Sequence, residues 1–392
     1  MPNAKPPDLA DLHERGELPP HVDDYPSEEM PDPAEEKRKT AAEEAAKVEA
    51  AKVGKLAWFT PPAEWLADPP PHREYLLHDA AEPGTSELRG RGMLPRGKVG
   101  ILAAAGGVGK TFALTGLALA LVTRAPWLGH FPTGDNLHRR VVLVLGEEDM
   151  GEVQRRLHAQ ARAMELDPSK HGPALAGILA LAGAGLDTLA LTRAEDEGRI
   201  GAGTDFADGL YAYLEANAGP GWDAVILDPL SRFAGPDVET DNAAATRLVQ
   251  VLERFTKLPG GPAVIVAHHT TKASRAEGEI AATAVRGSSA LTDGARWVGT
   301  LDPVVVKGGG KLPGHARFRV AKQNYGVFPD RSLLLTKPVG GEGGLRAATP
   351  DETAALDAAE LAAAAAKATR EETLKETGKA AAKAVRSRNP NA

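Results

Sequence analysis

The sequence predicts an α/β fold: a central, largely parallel β-sheet covered by helices on both faces, with flexible N- and C-terminal extensions. Three observations carry this expectation. Short apolar runs begin near Val99, Val141, Trp222 and Pro262, and their bodies are nearly free of charge, as strands buried on both faces must be. Segments of helical spacing alternate with them, which is the pattern of βαβ units. Each run closes on polar residues, and in open α/β sheets ligands gather outside the carboxyl ends of the strands.

Taken in order, residues 1 to about 33 are rich in proline and acid and too poor in apolar side chains to offset the entropy of ordering. From Asp32 to Lys55, blocks of Glu and Lys on an alanine-rich background favour a solvated helix with i,i+4 ion pairs, read first as a plain linker, with a partner-binding helix as the alternative. Trp58, Phe59 and Trp65 then stand among prolines and are expected to anchor the extension on the folded body. LRGRGMLPRGK, Leu88 to Lys98, is a turn-rich lead-in to the first strand, Val99 to Leu102.

A helix follows the glycine turn after that strand. VVLVLGEED, Val141 to Asp149, is a second buried strand ending in three carboxylates, and helical spacing resumes from Glu152. The stretch from Gly172 to Gly203 is ambiguous, with a short strand expected near Ile178 to Ala182. Asp205 to Asn217 reads as helix, WDAVILDPLSRF as a strand closed by Asp228, Asp241 to Phe255 as helix, and PAVIVAHHTTK as a strand ending in His268 and His269. Later strands are expected at Phe318 to Asn324 and Ser332 to Thr336. GGEGG, from about Gly340, marks a linker, and the alanine-rich tail beyond it has few large apolar residues with which to dock. The expected organisation is an extension over 1–55, a lead-in packing on the core over 56–95, the main domain over 96–339, and linker plus helical tail over 340–392.

The chain has no cysteine, which excludes disulfides, zinc–thiolate sites and a thiol nucleophile and fits a reducing compartment. A net charge of −7 gives no global attraction to DNA or membrane, so any nucleic-acid contact must come from local basic loops. With no apolar leader and no long apolar span, the expectation is an unexported, cytoplasmic chain with no membrane partner.

The chemistry concentrates at the strand ends. In AAAGGVGKT, Gly106, Gly107 and Gly109 free successive backbone N–H groups to converge on phosphate oxygens, Lys110 adds a point charge, and Thr111 offers a hydroxyl to Mg²⁺ at a helix N-terminus. This is a Walker A loop with Ala104 in place of the first glycine. Ala105, Gly106, Gly107, Val108, Gly109, Lys110, Thr111 and Phe112 are the candidate nucleotide-binding residues, with ATP and Mg²⁺ as ligands. Thr111 and Asp228 can hold the metal, Glu147 is placed to polarise water with Glu148 beside it, and His269 can sense the γ-phosphate. The plainer alternatives are exposed turn carboxylates and a histidine that caps backbone groups.

These segments, together with RRLHA, VRGSSALTDGARW and VAKQNYG, resemble the RecA-like ATPases and, within them, the RepA-type hexameric replicative helicases of plasmids and phages, over roughly Leu94 to Asp330. The resemblance implies a RecA-like core, a ring of subunits, and ATP-driven translocation on single-stranded DNA. It implies Lys110 and Thr111 as phosphate and Mg²⁺ ligands, Glu147 as catalytic base and Asp228 as the Walker B acid. His269 would be the family's strand-end histidine, and Arg156 the arginine that follows the catalytic glutamate. Arg296 would be the finger inserted by a neighbouring subunit, with Arg286 as the alternative. The loop from Thr270 to Ala284, with Lys272 and Arg275, would face the ring channel and grip DNA phosphates, although it carries no aromatic residue for stacking. Replication partners would be reached through the extensions. Two further readings stay open: a DNA-binding ATPase of this fold without unwinding activity, and a nucleotide-switched interaction protein.

Overall fold

The computed structural model describes residues 58–79, 91–193, 203–269, 289–306, 310–329, 332–337 and 343–362, with Glu44 and isolated positions between 365 and 377. The chain divides into two compact units, Met1–Pro71 and His72–Ala392. The described part of the first holds one 3₁₀ turn at Ala63–Leu66. Trp58, Phe59 and Trp65, read from the sequence as anchors, are all exposed, and the Phe59 and Trp65 rings lie 5.5 Å apart.

The second unit opens with an antiparallel pair, β1 (Tyr75–His78) and β2 (Gly92–Pro95). There follow β3 (Val99–Ala104), α1 (Lys110–Thr123), β4 (Val141–Leu145), α2 (Met150–Ala163), β5 (Ile178–Ala182), α3 (Asp205–Ala216) and β6 (Ala224–Asp228). Then come α4 (Asn242–Phe255), β7 (Ala263–His269), α5 (Ser289–Gly294), β8 (Trp297–Val306), β9 (Gly310–Gln323), β10 (Leu333–Thr336) and β11 (Arg346–Ala347). Nine of the strands form one sheet in the order β11-β10-β9-β8-β3-β7-β6-β4-β5. From β5 to β8 every neighbouring pair is parallel, whereas β8, β9, β10 and β11 pair antiparallel as a wing.

Side chains alternate across the sheet, as the two-residue period of a strand requires. Leu102, Ala104, Leu143, Leu145 and Ile226 join α1 in a core on one face, and Ile101, Ala103, Val142, Val144 and Val225 join Leu214 of α3 and Leu248 and Leu252 of α4 on the other. The sheet is therefore covered on both faces, in the arrangement of a RecA-like P-loop domain. Helix α1 buries all but two of its 14 residues, which explains its nearly unbroken apolar sequence. Its interior Gly116 has a packing reason. A β-carbon there would sit 3.0 Å from Nε2 of Gln160, the side chain through which α2 approaches. Trp127 joins the loop after α1 to the wing, with its ring 5.0 Å from Phe318 and its indole N–H donating to Ala113 O at 2.8 Å.

Leu76, Leu77, Met93 and Leu94, from the lead-in over 56–95, lie in the core. Two parts differ from the sequence expectation. Strand β8 was not expected, because Asp302 and Pro303 interrupt its apolar character, and its pairing with β9 carries register shifts there. The core also extends past residue 339. Leu345 is fully buried, β11 pairs with β10, and the helix over residues 350–362 places Leu356 against Val304 and Leu334. That helix begins with a capping box in which the Thr349 N–H donates to the Glu352 carboxylate (2.8 Å) and the Glu352 N–H donates to Thr349 Oγ1 (3.2 Å). Among the described residues no helix is long and apolar enough to cross a membrane.

Candidate nucleotide-binding site

Strands β4, β6, β7 and β3 are adjacent and parallel, so their carboxyl ends meet at one edge of the sheet. There a cavity of about 230 Å³ is lined by Gly106, Gly107, Gly109, Lys110, Thr111 and Phe112 from the loop and α1, and by Glu147, Glu148, Arg156, Asp228 and His269. Pro229 and Lys337 complete it. Residues separated by more than 200 positions are brought together because each follows a strand of the same direction.

The loop shows why glycine is required. Gly107 and Gly109 take φ values of 78° and 115°, and a β-carbon at Gly106 or Gly107 would meet no protein atom within 4 Å, leaving an open cradle above the N-terminus of α1. Ala104 departs from the motif at no visible disadvantage: it is the last residue of β3, fully buried and in register with both His269 and Leu301. Lys110 is held by its surroundings, with Nζ 3.4 Å from Ala104 O and 3.3 Å from His269 Nδ1. An ammonium only donates, so in this contact Nδ1 is the acceptor.

Asp228 is buried at the end of β6, and burial pushes its carboxyl above the usual range. The Thr111 hydrogen bond and the Lys110 charge act in the opposite direction, while Glu147 adds to the rise. A buried carboxylate paired with a hydroxyl beside an open phosphate cradle fits Mg²⁺, which takes one or two protein oxygens and completes its shell from phosphate and water. The donors present are thus those a magnesium nucleotide needs. Glu147 is exposed at the cavity, whereas Glu148 is partly buried and accepts from Arg156 Nη2 at 2.6 Å. Arg156 is also held by Glu152 at 3.3 Å. Asp149 caps α2 by accepting from the Glu152 N–H, which fixes the helix that presents Arg156.

Arg296 is not brought into this cavity. Its N–H donates to Val99 O at 2.8 Å, which sets it at the start of β3, the opposite edge of the sheet. The six residues of β3 place that edge about 20 Å from the loop at roughly 3.3 Å per residue. Arg286, Lys272, Arg275 and the rest of the expected channel loop lie outside the described residues. Lys337 is the charged lining residue that sequence reasoning missed. Its signal was the pattern used elsewhere, a polar residue closing the apolar run LLLT.

A family model described as an AAA domain matches residues 42–275, a span that includes the loop, Glu147, Arg156, Asp228 and His269 and ends before β8. No curated protein matches the chain.

Proposed function

Because the chain belongs to the AAA domain family and is a P-loop ATPase, we propose that it hydrolyses ATP to translocate on single-stranded DNA as a ring-forming helicase of RepA-like type. The observation that carries the proposal is the contact between Lys110 and His269. It links the phosphate site to the last residue of β7, directly ahead of the polar segment that holds Lys272 and Arg275. A change at the γ-phosphate is thereby felt at the start of a segment with the charge to hold a nucleic-acid backbone.

In this reading the loop N–H groups and Lys110 bind the phosphates, and Thr111 and Asp228 hold Mg²⁺, which screens phosphate charge when bound. Glu147 orients and deprotonates the attacking water, while Arg156 is positioned by Glu148 and Glu152. Arg296, remote from its own cavity, supplies positive charge to the nucleotide of a neighbouring subunit, so hydrolysis depends on assembly.

The test is steady-state ATP hydrolysis by the full chain with and without single-stranded DNA, with Glu147→Gln as control, followed by strand displacement on a forked duplex. Stimulation by DNA that is lost in the variant, together with displacement, supports the proposal. Stimulation without displacement would favour a DNA-binding ATPase that does not unwind. Tight nucleotide binding with slow turnover indifferent to DNA would favour a nucleotide-switched interaction protein.

A further inference from the structure

We propose that Lys337 binds the proximal phosphates of the nucleotide, so that the antiparallel wing supplies one wall of the ATP site. The inference rests on the P-loop ATPase reading of the cavity and adds to it a residue from outside the span matched by the AAA domain.

Topology brings Lys337 there. Strand β9 is antiparallel to β8, and β10 is antiparallel to β9, so β10 runs in the direction of β8 and β3 and ends at the edge where the P-loop begins. Lys337 is the first residue after β10, and its N–H donates to Gly314 O at 2.7 Å, which fixes the backbone from which the side chain projects. The side chain lines the nucleotide cavity with Nζ 4.9 Å from the centroid of the Phe112 ring. Phe112 is itself nearly buried in the first turn of α1, one residue past Thr111.

Charge accounting separates this cation from its neighbours. The Arg156 guanidinium also lies over Phe112, at 5.5 Å, but it is paired with Glu148 and Glu152. Lys110 is committed to Ala104 O and His269. Among the described residues no carboxylate forms an ion pair with Lys337, although Glu147, Glu148 and Asp228 line the same cavity, so its ammonium is not neutralised by a direct protein partner. The γ-phosphate end is already served by Lys110, His269 and Glu147. A cation above the residue that follows Thr111 is placed for the phosphates that ADP and ATP share.

The test is equilibrium binding of a fluorescent ADP and of a non-hydrolysable ATP analogue to the full chain, comparing the unaltered protein with Lys337→Met, Lys337→Arg and Lys110→Ala. The expected result for Lys337→Met is about tenfold weaker binding of both nucleotides, and Lys337→Arg should stay within about threefold of the unaltered protein. Thermal midpoints of the variants, unchanged from the parent, show that the loss is local. Unaltered affinity in Lys337→Met, or a loss confined to the ATP analogue, would overturn the proposal. Failure of the unaltered protein to bind either nucleotide would instead strike at the P-loop reading, and the two failures are distinguishable in one titration series.

Discussion

Gln160 joins two parts of the chain that the sequence keeps far apart, and removing it should release the wing from the P-loop helix. Its amide is buried and pairs both ways with one backbone residue, Nε2 donating to Leu345 O at 2.8 Å and Oε1 accepting from Leu345 N–H at 2.9 Å. Leu345 is 1% exposed, and its side chain lies 3.6 Å from where a β-carbon of Gly109 would be. In Gln160→Ala the chain has two responses. Leu345 can stay buried with an N–H and a C=O both unpaired, at about 1–3 kcal/mol for each group. It can also swing out, forfeiting about 1.5–3 kcal/mol of leucine burial together with the short β10–β11 pairing. The cheaper route sets the effect, so a loss on the order of 2–3 kcal/mol is expected. Amide hydrogen exchange should find it concentrated at Leu345 and Ala348, whose N–H groups donate to Gln160 Oε1 and Leu334 O, with a smaller change in the strands beneath the P-loop. Less than about 0.5 kcal/mol, with unchanged protection at those two amides, would show that this amide does not hold the wing in place.

Lys110→Ala is expected to abolish ATP hydrolysis, and retained turnover would mean that the loop assignment is wrong. Arg296→Ala should spare ATP binding and remove turnover, with partial rescue when mutant and unaltered subunits are mixed; no rescue on mixing would place its action within its own subunit. Burial raises the Asp228 carboxyl, so the folded state is favoured when this group is protonated and loses that advantage as pH rises above about 4. Asp228→Asn should therefore be inactive yet more stable than the parent at pH 8, with the difference narrowing toward pH 4 in thermal melts, and an equal offset at both pH values would contradict it. Glu352 is the opposite case: its hydrogen bonds with Arg346 and the Thr349 N–H hold the carboxyl down at about 2. Its contribution is present above about 4.5 and is lost as pH falls toward 2, so exchange protection of the helix over residues 350–362 should fall through that window and be insensitive to it in Glu352→Gln.

The strands that carry the site were legible because each is a continuous apolar run closed by its functional residue. VILD, for instance, both fills the core and ends on Asp228, and the expected ILALA strand coincides with β5. The helices between them were legible from spacing, and α4 begins within a residue of where it was expected. What escaped notice lacks such periodicity. Strands β1 and β2 have four residues each, too few to show a pattern, and β8 hides a buried Asp302 that accepts from Arg319. The return of the chain after GGEGG depends on one buried leucine and one glutamine 185 positions away, a contact no local window can contain. One local sign was present and went unread: TPDE, whose Thr349 and Glu352 form the capping box that starts the docked helix.

The distance along the chain between the P-loop and Leu345 bears on how the protein is born. The loop and α1 leave the ribosome first, and the residue that packs beside Gly109, and the lysine that lines the same cavity, are added more than 200 residues later. At 5–20 residues per second that interval is on the order of 10–50 s. During it the nascent chain carries the loop without Leu345 beside Gly109 and without Lys337 in the cavity lining. A chain that stops short of the wing would thus keep the Walker A sequence and lack both of these neighbours.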